Sequence, residues 1–273
     1  MTIKIAVSGA CGRMAGQVLR RAHESKDLKV VAAVDAPNSP SAGKDIGEVL
    51  GMGRIGVQVV GAERIEQELK LRKPEVLVDF TTPQACVENV KIAARNGISL
   101  VVGTTGLNGK QKAEIRDAVQ KARVRAIIAP NFSIAVNFFF KLAADAAAVL
   151  RDFDVELIEA HHRFKADAPS GTAKRLAELI AEARKSNLDA VAVYGRKGLV
   201  GERDRKQIGI HSVRAGDIVG DHTVLFSNLG ERLEIKHQAH SRDAFAYGCL
   251  TSIKWLVDQK PGIYGMFDVL NLK

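Results

Sequence analysis

Apolar positions along this chain follow two regimes. From Ile3 to Ala129 they come in short, almost uninterrupted runs: Ile3–Ser8, Lys29–Val34, Val57–Val60, Glu75–Phe80, Ile98–Val102 and Arg125–Ala129. Such runs are the pattern of strands buried on both faces of a parallel sheet. Between them lie segments with helical spacing, Gln17–Ala22, Glu63–Leu71, Gln84–Asn96 and Lys110–Lys121. The stretch Ala36–Gly56 has no clear period apart from one helical turn at Ile46–Leu50 and reads as a surface connection. Thr81-Thr82-Pro83 is a cap signal for the helix that follows it, and Gly97 is the residue that ends that helix.

Beyond Ser133 the pattern changes. Ile134–Leu150 carries Val136, Phe139, Phe140, Ala143, Ala147 and Leu150 at helical spacing, which predicts a long buried helix with Phe138–Phe140 as core. Phe153–Ala160 alternates Val155 and Leu157 with Asp154 and Glu156, a half-buried strand, and Thr172–Ala183 is again helical. Asn187–Lys206 is loop-like and basic, with a short strand at Val191–Tyr194. Ile208–Arg214, Asp217–Asn228 and Glu231–Ala239 read as long antiparallel strands joined by turns at 215–217 and 229–231. A helix over Arg242–Val257, burying Trp255 and Leu256, and an apolar tail at Ile263–Leu270 close the chain. The expected domains are residues 1–132, joined by the segment 241–273, and residues 133–240.

Composition narrows the class without naming a function. The 273 residues, 46% hydrophobic and 26% charged, are ordinary globular material, enough for one large or two modest cores. Three scattered cysteines, Cys11, Cys86 and Cys249, make no Cys-x-x-Cys pair, so neither a disulfide framework nor a metal site is expected, and a cytoplasmic setting is. The opening apolar run is too short for a signal peptide, and the longest apolar region, 127–150, is broken by Asn131, Asn137, Lys141 and Asp145, which argues against a membrane partner. The net charge of +9 is spread out and lacks interleaved aromatics, so nucleic acid is not an expected partner. It either attracts small anions or is a solvated surface.

Candidate chemistry enters first at the strand ends. Ile3–Ser8 runs straight into Gly9-Ala10-Cys11-Gly12-Arg13-Met14 and then a helix, the arrangement in which a tight glycine turn lets backbone amides approach a pyrophosphate. The Gly-x-x-Gly spacing alone is a weak signal. Asp35 closes the second strand, where such folds place an acid on the adenine ribose; the other reading is an ordinary strand-end carboxylate. Ala36 supplies no guanidinium for a 2'-phosphate, which favours NADH while leaving NADPH possible. Gly103-Thr104-Thr105-Gly106 and Ala129-Pro130-Asn131-Phe132 end two further strands on the same side of a parallel sheet. Thr104 and Thr105 can face a cofactor there or cap the helix at 110–121.

The densest cluster is Glu159–Thr172, with two imidazoles, two cations and two hydroxyls between a strand end and a helix start. His161 and His162 should emerge on opposite faces, and Ser170 is a natural N-cap with Gly171 and Thr172 in the first turn. Proton transfer beside an anion cradle is one reading; a charged strand end is the plainer one.

Together these segments resemble the dihydrodipicolinate reductase family, also called 4-hydroxy-tetrahydrodipicolinate reductase, of bacterial lysine and diaminopimelate synthesis. The motifs that carry the likeness are Gly9–Met14, Val78–Thr81, Gly103–Gly106, Pro130–Ser133, Glu159–Arg163 and Lys165–Thr172. The resemblance implies an α/β Rossmann-like N-terminal domain and an α+β C-terminal domain with a mixed, largely antiparallel open sheet that forms a homotetramer. It implies a NAD(P)H-dependent oxidoreductase acting on a small cyclic dicarboxylate. It places cofactor on Gly9 to Met14, Asp35, Gly103 to Thr105 and Ala129 to Phe132. It assigns catalysis to His161 and Lys165, and substrate binding to His162, Lys165, Ser170, Gly171 and Thr172, with Thr105 nearby. Ala15, Ala36 and Phe164 depart from residues common in the family. Another NAD-linked amino- or sugar-acid dehydrogenase, or a non-catalytic NAD-binding sensor, are the competing functions.

Overall fold

A computed structural model describes residues 2–272. In chain order its elements are β1 (Ile3–Ser8), α1 (Arg13–Glu24), β2 (Leu28–Asp35), α2 (Ile46–Val49), β3 (Val59–Gly61), α3 (Ile65–Arg72), β4 (Val76–Asp79), α4 (Pro83–Arg95), β5 (Ser99–Val102), α5 (Gly109–Ala122) and β6 (Arg125–Ile128). Then follow α6 (Ile134–Val149), β7 (Asp154–His161), α7 (Gly171–Ala183), α8 (Leu188–Val191), β8 (Ala192–Tyr194), β9 (Ile208–Arg214), β10 (Gly220–Asn228) and β11 (Glu231–Ala239), and last α9 (Asp243–Leu256), β12 (Gly262–Tyr264) and α10 (Met266–Val269). The chain divides into two compact units, Met1–Ile134 with Asp243–Lys273, and Ala135–Arg242.

The first unit holds a parallel sheet in the order β12-β6-β5-β4-β1-β2-β3. Alternate residues of its strands feed separate cores. Ile5 and Val7 pack with Val18 and Leu19 of α1 and with Ile253 and Leu256 of α9, while Ala6, Leu77 and Leu100 pack with α3, α4 and α5. Strand order reverses between β4 and β1, and in sheets of this type the crevice beyond the strand C-termini at such a reversal is where ligands bind. The helix expected over Gln17–Ala22 starts at Arg13, because Gly12 takes the N-cap position and Ala15 and Gly16 are buried inside the helix. Thr82 is an N-cap residue but its side chain makes no cap bond; Trp255 is half-buried, its ring edge-on to Tyr264 at 5.1 Å.

The second unit is built on the mixed sheet β11-β10-β7-β9-β8. The β10–β11 and β10–β7 pairings are antiparallel, and β7–β9 and β8–β9 are parallel. The expected hairpin between Ile208–Arg214 and Asp217–Asn228 is therefore not formed. β7 lies between these strands, pairing with β9 along one backbone edge and with β10 along the other, while Val155, Leu157, Glu159 and His161 form its buried face. The 215–217 turn instead closes over the end of β7, with the Ala215 amide donating to the His161 carbonyl and the Arg163 amide to that of Gly216. Leu188–Val191 is helical, so the short strand begins only at Ala192. In α6 Phe139 and Phe140 are buried as expected, but Phe138 is 49% exposed.

Candidate functional site

The nucleotide-type loops of the first unit are shaped by missing side chains. Gly9 has φ of +75°, and a Cβ there would sit 2.3 Å from the Phe80 carbonyl oxygen. Only glycine fits both constraints. The Gly12 amide donates to the Gly9 carbonyl at 2.8 Å, turning the backbone into the N-terminus of α1, whose first turn contains no acidic residue. Gly12 and Arg13 are exposed there, so the partial positive charge of the helix end faces outward beside a bare backbone. Ala10 is fully buried, its amide bonded to the Val34 carbonyl, which fastens the loop to the end of β2. Asp35 lies at that end, half-buried, and accepts the Ser39 hydroxyl at 2.8 Å. Half-buried Cys11 lies beside it, and burial first, then Asp35, push its thiol pKa up. Met14 is half-buried in the first turn of α1. An exposed glycine turn at a helix start, with a carboxylate at the neighbouring strand end, fits a dinucleotide's pyrophosphate and ribose.

Two more loops end on the same edge of the sheet. Gly103 is required by Phe80, whose ring would lie 2.1 Å from a Cβ at that position. Thr104 and Thr105 part company. Thr105 is exposed, whereas Thr104 is buried and its hydroxyl donates to Asp79 at 2.7 Å, so the Thr104 side chain faces the interior and not a cofactor. Neither caps α5, which is capped by Asn108 in a reciprocal pair with Gln111. After β6, Ala129 is buried with its amide on the Val102 carbonyl, Pro130 is exposed, and Asn131 accepts the Ser133 amide at 2.9 Å. Phe132 is buried edge-on against Phe80, with ring centres 5.9 Å apart.

In the second unit the organising group is Glu159, fully buried on β7. Its carboxylate accepts the guanidinium of Arg214 in bidentate fashion at 2.8 and 2.9 Å, the Ser170 amide at 3.1 Å, and lies 2.5 Å from His161 Nδ1. Burial alone would raise its pKa, but Arg214, His161 and Ser212 outweigh that and hold it at about 2. The period of two along β7 places Glu159 and His161 on one face. With Nδ1 fixed on Glu159, the Nε2 atom of His161 points to Gly220, where a Cβ would approach to 3.1 Å. Burial pushes the pKa of His161 down, and Glu159 opposes the fall.

Ser170 caps α7 by accepting the Ala173 amide, and its hydroxyl lies 3.2 Å from Nε2 of buried His222. Burial, then the neighbouring His161, lower the pKa of His222 to about 4, so it is neutral near pH 7. Gly171, the first residue of α7, is exposed, and Thr172 is half-buried. Lys165 pairs with Asp167 at 2.7 Å. His162 lies just past the end of β7, half-buried and tilted towards Phe164 at 6.3 Å between ring centres. The unit thus gathers an oriented imidazole, an ammonium and a helix start, the parts for binding a carboxylate and handling a proton.

Comparison with known proteins supplies the family. The model for the N-terminal part of dihydrodipicolinate reductase matches residues 3–132, and that for its C-terminal part matches residues 135–270. The chain belongs to the dihydrodipicolinate reductase family. Proteins named 4-hydroxy-tetrahydrodipicolinate reductase from Methanocaldococcus jannaschii and Methanothermobacter thermautotrophicus are each 52% identical to it, covering 99% of this chain and 98% and 99% of theirs. A dipicolinate-bound dihydrodipicolinate reductase from Paenisporosarcina sp. TG-14 superposes with a TM-score of 0.79 at 27% identity, over 100% of both chains. An amine dehydrogenase from Mycobacterium smegmatis, 15% identical over 97% of this chain and 95% of its own, has a TM-score of 0.61 and shows the fold alone.

As a member of this family the chain is an oxidoreductase with a nucleotide-binding Rossmann fold. Three residues of the second unit's polar cluster receive no role from the sequence: Glu159, Arg214 and His222. Glu159 had a visible signal, since Glu-x-His in a strand puts both side chains on one face. Arg214 and His222 had none, because they reach the cluster only through the registers His161↔Arg214 and Glu159↔His222.

Proposed function

We propose that the chain reduces 4-hydroxy-tetrahydrodipicolinate (or dihydrodipicolinate) to tetrahydrodipicolinate in the lysine and diaminopimelate route, with NADH preferred and NADPH accepted. The observation that carries this reading is the double use of one buried carboxylate: Glu159 orients His161 and also holds the Ser170 amide at the start of α7. An acid–base group and an anion cradle built from one hub suit a substrate that is a dianion and must gain a proton.

The ring loses water, then its conjugated double bond takes up a hydride at one carbon and a proton at a neighbouring one. Bound in the first unit, the reduced nicotinamide supplies the hydride. Gly9, Cys11, Gly12, Arg13 and Met14 would hold its pyrophosphate, with Ala10 fastening that turn to the end of β2; Asp35 would hold its ribose, and the backbone of the loops Gly103–Thr105 and Ala129–Phe132 its remainder. Lys165 and the first turn of α7, with His162, bind the substrate carboxylates. Lys165 exchanges Asp167 for them, which keeps its charge neutralised in both states. His161 is neutral in the free protein, with Nδ1–H on Glu159; the arriving dianion favours its protonation, and Nε2–H then delivers the proton. NADH preference is supported by Asp35 and by Ala36, which offers no charge to a 2'-phosphate. A homotetramer is supported by the open face of the second sheet, where Ile158 and Val213 are 39% and 44% exposed. Among the described residues no helix is long and apolar enough to cross a membrane.

The test is a coupled assay in which the partner synthase condenses pyruvate with aspartate semialdehyde and oxidation of NADH and NADPH is followed separately. Turnover that depends on the condensed product supports the reading. Dinucleotide binding without turnover would leave a sensor, and turnover on linear amino or sugar acids alone a different dehydrogenase.

A further inference from the structure

Asp79 ends β4 with its side chain fully buried, after three buried apolar residues. Burying a carboxylate is costly unless donors surround it. Here they come from separate segments. The Thr81 and Thr104 hydroxyls donate to Oδ1 at 2.8 and 2.7 Å, and Asn89 of α4 donates to Oδ2 at 2.8 Å while also reaching Ser8 of β1 at 2.9 Å. The Thr104 hydroxyl works twice, since it also accepts the Thr81 amide at 2.7 Å. Between these bonds Phe80 lies against Gly103 and edge-on to Phe132. One carboxylate therefore ties the loops after β4 and β5 to each other and to the end of β1.

We infer that Asp79 is a positioning residue for dinucleotide binding, holding the Phe80–Thr81 and Gly103–Thr105 loops in one fixed relation through Thr104 and Asn89. The inference rests on the dinucleotide reading above and adds a residue that does not touch the ligand. Its logic is hydrogen-bond direction. Oδ1 accepts from two hydroxyls and Oδ2 from an amide, so a side-chain amide at position 79 either sets its NH2 against the NH2 of Asn89 or forces Asn89 to turn over and take its own NH2 off both residue 79 and Ser8. Exchanging the two residues restores a donor facing an acceptor, and the Ser8 hydroxyl can then donate to the new carboxylate.

The experiment is a set of full-length variants, Asp79→Asn, Asn89→Asp and the double exchange, with Thr104→Val as an independent lesion that keeps the shape and removes the shared hydroxyl. NADH Kd is measured by fluorescence titration well below each variant's Tm, beside the substrate KM at saturating NADH. Each single variant should weaken NADH binding by about tenfold, as for one lost buried hydrogen bond to a charge, and leave the substrate KM within about twofold. The double exchange should return Kd to within about threefold of wild type. Singles that bind NADH as wild type does, or a double variant no better than its parents, overturn the inference alone. A wild-type protein that binds neither dinucleotide overturns it together with the reading on which it rests.

Discussion

The two units prepare for their ligands in opposite ways. In the first, the candidate site is mostly backbone: Gly9, Gly12 and Gly103 are fixed by what a Cβ would strike, and the buried carboxylate of Asp79 lies beneath the loops. In the second, the site is mostly side chain: a fully buried carboxylate gathers a guanidinium, an imidazole and a helix amide. Backbone specifies shape and is insensitive to pH. A charge hub specifies orientation and protonation together, at the cost of depending on every member. Lesions in the first unit should therefore act on dinucleotide affinity, and lesions in the second on turnover and on its pH dependence.

The sharpest break of that contrast is His161→Gln, which keeps polarity and loses the transferable proton. It should cut kcat by about 100- to 10,000-fold, the usual share of a general acid, with NADH Kd unchanged. Lys165→Ala should act in the same direction. Full kcat in either variant would remove that residue from catalysis. On the other side, Gly9→Ala forces a Cβ to 2.3 Å from a backbone carbonyl at φ of +75°. It should lower Tm and weaken NADH binding by at least about tenfold, while the substrate KM of the remaining activity holds.

How much of each region was legible in the sequence follows from the same difference. The strands of the first unit read directly, since β1, β2 and β4 are nearly continuous apolar runs and glycines follow where the chain leaves β1 and β5. What failed there was local: the start of α1 at Arg13 was hidden by Gly16, which packs inside the helix against Leu50 instead of breaking it. Thr104 looked like a ligand contact because nothing in a sequence shows that a hydroxyl is already taken by a buried aspartate. In the second unit the individual strands were legible and their order was not. β7 interposes between β9 and β10, and with that insertion come Arg214 and His222, each more than fifty residues from the partner it bonds, Glu159 and Ser170 respectively. Period and turn chemistry report neighbours in the chain; a crossing order is set by burial of faces from distant segments.

Charge dependence of the second unit should appear in acid. His222 has its pKa lowered from 6.5 to about 4, so the native form excludes a proton that the unfolded chain accepts; its contribution is complete above about pH 6.5 and is lost as pH falls towards 4. Glu159, depressed from 4.5 to about 2, adds a second loss as pH falls through that window, on the order of 3 kcal/mol. Denaturant unfolding from pH 8 to 4 should show stability declining below about 6.5, and His222→Asn should flatten the part between 6.5 and 4. Stability that stays level over that range would mean that His222 is not buried in the neutral form.

The smallest expected effect separates holding from waiting. Lys165 is paired with exposed Asp167 at 2.7 Å, and Asp167 has its pKa lowered by that contact first. If the pair only stores the ammonium until a substrate carboxylate arrives, Asp167→Asn removes a competitor, and the substrate KM should fall by about two- to threefold with kcat unchanged, the scale of one partly exposed ion pair. If instead Asp167 aims Lys165, the same change should raise KM and slow turnover, because the freed side chain then samples several rotamers before each encounter. Measuring kcat and KM separately at low and high salt decides between them. A competitor's removal matters less as salt rises, since screening weakens the exposed pair in the parent protein as well. An aiming contact through this pair is screened in the same way, so the sign of the KM change at low salt, where the pair is strongest, separates the two.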